Sequence, residues 1–175
     1  MPPTCVADTG NRLIRKITAG GAVSTLAGSL PADDSARSID GTGQAASFAD
    51  LNGIAIATAG TLYVGDGGRV RKITPAGVVS TIAVSGVGSA VALDSANGIA
   101  VDAAGTVYVG DVSRNRIHKI GADGSFATLA GTGSVGSADG PLAESSFAYP
   151  LGLALGADGT LYLVDTGSNK MRMLR

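Results

Sequence analysis

ANGIAVDAAGTVYVGDVSRNRIHKIGADGSFATLAG, residues 96–131, reads as four short strands joined by turns. Ile99–Asp102 is the first strand and Ala103-Ala104-Gly105 the turn after it. Thr106–Asp111 is the second, and Val112–Arg116 connects it to the third, Ile117–Ile120. Gly121–Gly124 then leads into the fourth, Phe126–Ala130. The turns that close the first and third strands end in Gly, the residue that reaches the positive φ of a tight hairpin without strain.

The rest of the chain repeats this unit. The second strand recurs as Cys5-Val6-Ala7-Asp8, Tyr63-Val64-Gly65-Asp66 and Tyr162-Leu163-Val164-Asp165, its terminal Asp returning at intervals of 58, 45 and 54 positions. The third recurs as Ile14-Arg15-Lys16-Ile17, Val70-Arg71-Lys72-Ile73 and Met171-Arg172-Met173-Leu174, the fourth as Val23–Ala27 and Val79–Ala83. Four-stranded units repeating every 40 to 50 residues are the mark of propeller blades. A sheet this small cannot bury its faces alone, and stacking blades around an axis covers both. The reading is an all-β propeller of four-stranded antiparallel blades, about 3.5 blades or 14 strands in one domain, with units 4–28, 51–83, 96–131 and 150–175.

Composition fits a packed core. Of 175 residues 45% are hydrophobic and 15% charged, and 27 are Gly. The net charge of −1 gives no electrostatic case for nucleic acid or an anionic membrane. No run of 18 apolar residues occurs, so no transmembrane helix is expected, and residues 1–5 lack the pattern of a signal peptide. The expected location is the cytoplasm, or outside it if a leader has been removed. Cys5 and His118 are the sole residues of their types, which excludes an internal disulfide and a multi-histidine metal site. Cys5 reads as a small core residue.

The segment Asn97-Gly98-Ile99-Ala100-Val101-Asp102, with Tyr108-Val109-Gly110-Asp111 and Asn115-Arg116-Ile117 behind it, resembles an NHL repeat of the version common in bacterial repeat proteins. The resemblance extends along nearly the whole chain through endings such as Leu26-Ala27-Gly28. It implies a β-propeller, commonly of six blades; some relatives bind RNA or protein on one face, and others are lyases or lactonases with a channel metal. One His cannot supply those metal ligands. Unit two also departs, since Asp66-Gly67-Gly68-Arg69 lacks the Asn found at Asn11, Asn115 and Asn169.

The blades do not close a ring in one chain. The first unit lacks its first strand and the last its fourth. An open arc leaves apolar blade faces in water at roughly 25 cal/mol per Å². Three resolutions follow: a homodimer forming one ring of seven or eight blades, membership in a longer repeat protein, or an irregular four-bladed ring. The homodimer is the favoured one.

Strand direction places the second-to-third connections and the inter-blade links on one face, and the tight Gly turns on the other. Variable loops on a rigid frame are where recognition sits. Candidate ligand-binding residues on that face are Asp8, Arg12, Asp66, Arg69, Asp111, Arg114, Arg116 and Asp165. No cofactor is expected: the favoured reading is that each Asp caps its own turn, accepting backbone N–H groups, or pairs with a neighbouring Arg. The alternative is that the ring of carboxylates binds a cation such as Ca²⁺. Asp33, Asp34 and Asp40, in the longest link, are a weaker local metal candidate. Arg15, Lys16, Arg71, Lys72, Lys119 and Arg172 in the third strands read as charges alternately exposed near the outer edge, where they discourage aggregation. Tyr63, Tyr108 and Tyr162 read as core packing. Phe48, Leu93 and Phe147 read as plugs between blades, the two Phe each 8 residues after an Asp.

No catalytic constellation stands out. The expected function is a non-catalytic scaffold binding a protein or small ligand, completed by homo-oligomerisation, with neither nucleic acid nor membrane as partner. The alternatives are a lyase- or hydrolase-type enzyme with a channel metal, and a self-assembling half-propeller without a ligand.

Overall fold

The computed structural model describes residues 3–30, 37–82 and 93–175. Fifteen strands form four antiparallel sheets among them. The first sheet holds β1 (Thr4–Asp8), β2 (Leu13–Ile17) and β3 (Val23–Ala27). A two-residue strand, β4 (Gly41–Thr42), precedes β5 (Leu51–Ile56), β6 (Leu62–Asp66), β7 (Arg69–Ile73) and β8 (Val78–Thr81). The third sheet holds β9 (Ala96–Val101), β10 (Val107–Asp111), β11 (Arg116–Ile120) and β12 (Phe126–Ala130). The last holds β13 (Pro150–Leu155), β14 (Leu161–Asp165) and β15 (Lys170–Leu174).

The four sheets are propeller blades, and fourteen of their strands are those expected. The fifteenth, β4, comes from a link and pairs with β8 as a fifth, outermost strand of blade two. A two-residue strand has no periodicity of its own to announce it. Ala83, Asp33 and Asp34 lie outside the described residues.

Three apolar cores sit between successive blades. Ile14, Phe48, Leu51 and Val64 belong to the first; Tyr63, Leu93, Ile99 and Val109 to the second; Ala100, Ile117, Phe147 and Leu163 to the third. Phe48, Leu93 and Phe147 are buried as plugs. Among the described residues no core joins blade four to blade one, so the blades form an open arc and not a closed four-bladed ring. The last blade exposes Leu151, Val164, Met171 and Met173.

Glycine sets the blade spacing near the axis. A Cβ on Gly98 in β9 would lie 2.7 Å from the Leu151 carbonyl oxygen of β13. One on Gly110 would lie 2.6 Å from that of Pro150. Gly53 and Gly65 face Asn97 and Ala96 of the next blade in the same way. No described helix is long and apolar enough to cross a membrane.

Candidate functional site

The second strand of each blade ends in Asp, and the third strand places a basic residue close to it. In blade two, Asp66 and Arg71 are both fully buried and meet at 2.6 Å. Asp66 Oδ1 accepts the backbone N–H groups of Ala49 and Asp50 at 2.8 and 2.9 Å. Arg71 also reaches Asp40 at 2.7 Å, donates to the Ser47 carbonyl, and lies 5.3 Å from the Phe48 ring centre. One buried ion pair thus fastens the incoming link at five residues, 40 and 47–50.

Blade four repeats the arrangement. Arg172 contacts Asp165 at 3.2 Å and Asp139 at 2.7 Å, and lies 5.2 Å from the Phe147 ring centre. Asp165 accepts the Ala148 N–H at 2.6 Å and is bonded by the Ser168 hydroxyl. The paired echo of Asp-Gly and Phe in the two links is therefore an anchoring motif, read by the Arg of the blade that follows.

Blade three carries His118 in the Arg position. Its Nε2 stands 3.7 Å from Asp111 Oδ2, beyond hydrogen-bond reach. Nδ1 lies 3.3 Å from the Thr128 hydroxyl, and the ring stacks on Phe126 at 4.9 Å. Burial, helped by Arg116 and Arg114 against the opposing pull of Asp111, lowers its pKa to about 4. At neutral pH His118 is uncharged. Asp111 then relies on the N–H groups of Asp94 and Ser95, at 3.1 and 3.2 Å. Blade one holds the loosest version, with Arg15 4.0 Å from Asp8, which also accepts from Asn11.

These contacts correct several expectations. Arg71 is buried and Arg172 nearly so; they are not edge charges in water. Asp66, Asp111 and Asp165 are fully buried, and their oxygens meet link N–H groups and third-strand side chains. They tie down the preceding link more than their own turn, and they do not present an open carboxylate ring. Among the described residues no group of three or more His, Cys, Asp or Glu is arranged to hold a metal. Asp40 is an anchor: although burial opposes it, bonds from the Thr81 N–H, Arg71 and the Thr81 hydroxyl hold its carboxyl below the usual range.

The loop cations are placed differently from one another. Arg116 donates to the Thr132 carbonyl at 2.9 Å, and Arg69 is exposed at the start of β7. The Arg114 backbone N–H reaches Asp111 at 3.4 Å. Arg12 takes the left-handed φ of 56° that Asn115 and Asn169 share at 52°. The equivalent of those Asn residues is therefore Arg12 and not Asn11. Tyr63 is buried and Tyr108 half-buried, its hydroxyl 3.3 Å from Asp102.

One feature escapes sequence reasoning. A cavity of about 450 Å³ opens at the tight-turn end between blades one and two, lined by Cys5, Lys16, Leu26, Ile56 and Pro75. Burial pushes the Cys5 thiol up from its ordinary pKa. Its lining comes from three strands of blade one and the turns of blade two, a juxtaposition that no local pattern announces.

Residues 93–120 match the family model of the NHL repeat. That match covers one blade, and the chain as a whole is an array of β-propeller blades. A search of curated protein sequences finds no match. Among solved structures, a structural-genomics protein of unknown function from Bacteroides thetaiotaomicron superposes with a TM-score of 0.70 at 21% identity, over 93% of this chain and 42% of that one. An auxiliary nutrient binding protein from the same organism gives 0.68 at 14% identity, over 93% and 42%. A streptogramin B lyase gives 0.62 at 15% identity, over 98% and 50%. At these identities the likeness is one of fold. The chain spans half or less of the length of these three structures.

Proposed function

We propose that this chain is a non-catalytic propeller scaffold that binds a protein or small ligand through its link-bearing face, with its ring completed by a second copy. The observation that carries this reading is how the polar side chains are used. The acids and bases that a catalytic or metal site would need on that face are spent on holding links in place: Asp66, Arg71 and Asp40 in blade two, Asp165, Arg172 and Asp139 in blade four. What such a frame offers to a partner is the shape and exposed groups of its loops, among them Arg69.

Ring completion rests on the apolar side chains that the last blade leaves in water, Leu151, Val164, Met171 and Met173, since an adhesive face of this kind calls for a cover. The fold itself is shared by a nutrient-binding protein and a lyase, so it does not choose between binding and catalysis. Elemental analysis of the purified protein does. Less than a tenth of an equivalent of any transition metal or Ca²⁺ after dialysis is the expected result. One tightly held equivalent overturns the scaffold reading in favour of a propeller enzyme.

A further inference from the structure

In blades two to four the second strand carries Tyr at one register position: Tyr63 opposite Lys72, Tyr108 opposite Lys119, Tyr162 opposite Met173. Blade one holds Cys5 there, opposite Lys16. Tyr63 is buried in the core between blades two and three, and Val101 of blade three packs against that core. Tyr108 and Leu155 both pack against the next core. Ile56 holds the place of Val101 and Leu155 at the end of its own first strand. It is nevertheless 58% exposed, since no ring reaches it from the Cys5 position.

The cavity at the tight-turn end between blades one and two is the space left by that exchange. It measures about 450 Å³ and is lined by Cys5, Lys16, Leu26, Ile56 and Pro75. Its counterpart between blades two and three measures about 300 Å³, and there Tyr63, Lys72 and Ile82 stand for Cys5, Lys16 and Leu26. A strand laid along the inner edge of β1 would not fill the space. In the other three blades the first-strand residue paired with the Tyr is Ala each time, Ala55, Ala100 and Ala154, too short to enter the place of the ring. The cavity is therefore set by Cys in place of Tyr within the repeat.

Charge selects the occupant further. Lys16 is half-buried, whereas Lys72 and Lys119 are exposed. Among the described residues no carboxylate pairs with Lys16. We propose that this cavity binds a small monocyclic aromatic acid. Its ring takes the place that Tyr63 and Tyr108 fill in the next two blades, against Leu26, Ile56 and Pro75, and its carboxylate meets Lys16. The site lies at the opposite end of the blades from the link-bearing loops, so it is separate from any ligand those loops take. It also lies between two blades of one chain, so a second copy packed on the outer faces of blades one and four leaves it open.

The probe is phenylacetate, titrated into the intact chain by isothermal calorimetry. Alkylation of Cys5, the sole cysteine, by iodoacetamide reports where it binds. Saturable binding is expected, and phenylacetate at about ten times its dissociation constant should slow alkylation about tenfold. 2-Phenylethanol keeps the ring without the charge; it should bind about tenfold more weakly than phenylacetate, and Lys16→Met should weaken phenylacetate binding about tenfold. Cys5→Tyr restores the residue of the other blades and should abolish binding while circular dichroism shows the fold retained. If that variant does not fold, alkylation of the parent chain decides alone. Absence of binding, binding that leaves the alkylation rate unchanged, or a folded Cys5→Tyr chain that binds like the parent overturns the proposal. Equal affinity for 2-phenylethanol, or indifference to Lys16→Met, overturns the acid as the ligand.

Discussion

Arg71 donates to Asp66 across 2.6 Å with neither side chain exposed to solvent. Two opposite charges in a small β protein's interior are costly to desolvate, and the pair holds because both ends are further bonded. Arg71 takes Asp40 and the Ser47 carbonyl; Asp66 takes the N–H groups of Ala49 and Asp50. The pair is therefore the point where a long link and two strands are fixed together.

Removing one member leaves the other charged and buried. Arg71→Ala is expected to cost about 3–5 kcal/mol of unfolding free energy. Arg15→Ala, where the equivalent contact is 4.0 Å and half-exposed, is expected to cost less than about 1 kcal/mol. Urea titration of the two variants measures both. Equal losses would contradict the buried-anchor account.

His118 makes stability depend on pH. The folded chain holds it neutral down to about pH 4, whereas the unfolded chain takes up a proton near the ordinary 6.5. The unfolded state binds more protons in that window, so stability present above pH 6.5 falls as pH drops toward 4. The contribution is as much as about 3 kcal/mol. His118→Gln should flatten the slope between pH 6.5 and 4, measured as unfolding free energy at each pH relative to the parent chain. An unchanged slope would mean that the imidazole titrates normally in the folded state.

Glycine spacing separates covered from uncovered blade faces. A Cβ at Gly65 would fall within the contact radius of the Ala96 carbonyl oxygen, and Gly65→Ala is expected to cost on the order of 1–3 kcal/mol. At Gly152 the nearest described atom is Val164 Cγ2 at 3.4 Å, so the space beside it is left for the proposed second copy. Gly152→Ala should then weaken self-association by roughly tenfold. Thermal denaturation measures the first variant and sedimentation the second, and undiminished association of Gly152→Ala would contradict a closely packed second copy there.

Strand order and the two Phe plugs were legible because each rests on local spacing. Tyr-Val-Gly-Asp and its relatives register every blade, and Phe48 and Phe147 keep their distance from an Asp. The role of Arg71 was not legible for the same reason. Arg71 and Lys72 are neighbours on a strand, so one faces inward, and nothing local says which. The deciding partner, Asp40, is 31 residues away. The comparison that helps is across blades: the neighbouring position holds Lys16, Lys72, Lys119 and Met173, whereas the position facing the strand-ending Asp holds Arg15, Arg71, His118 and Arg172. Residue type aligns Asn11 with Asn115 and Asn169, whereas the left-handed φ they share aligns those two with Arg12.

The central claim is that the exposed blade faces are completed by a second copy. Sedimentation equilibrium over a range of protein concentrations tests it most directly. The account predicts a species of twice the 17.1 kDa chain mass. A mass of 17.1 kDa at every concentration would contradict it.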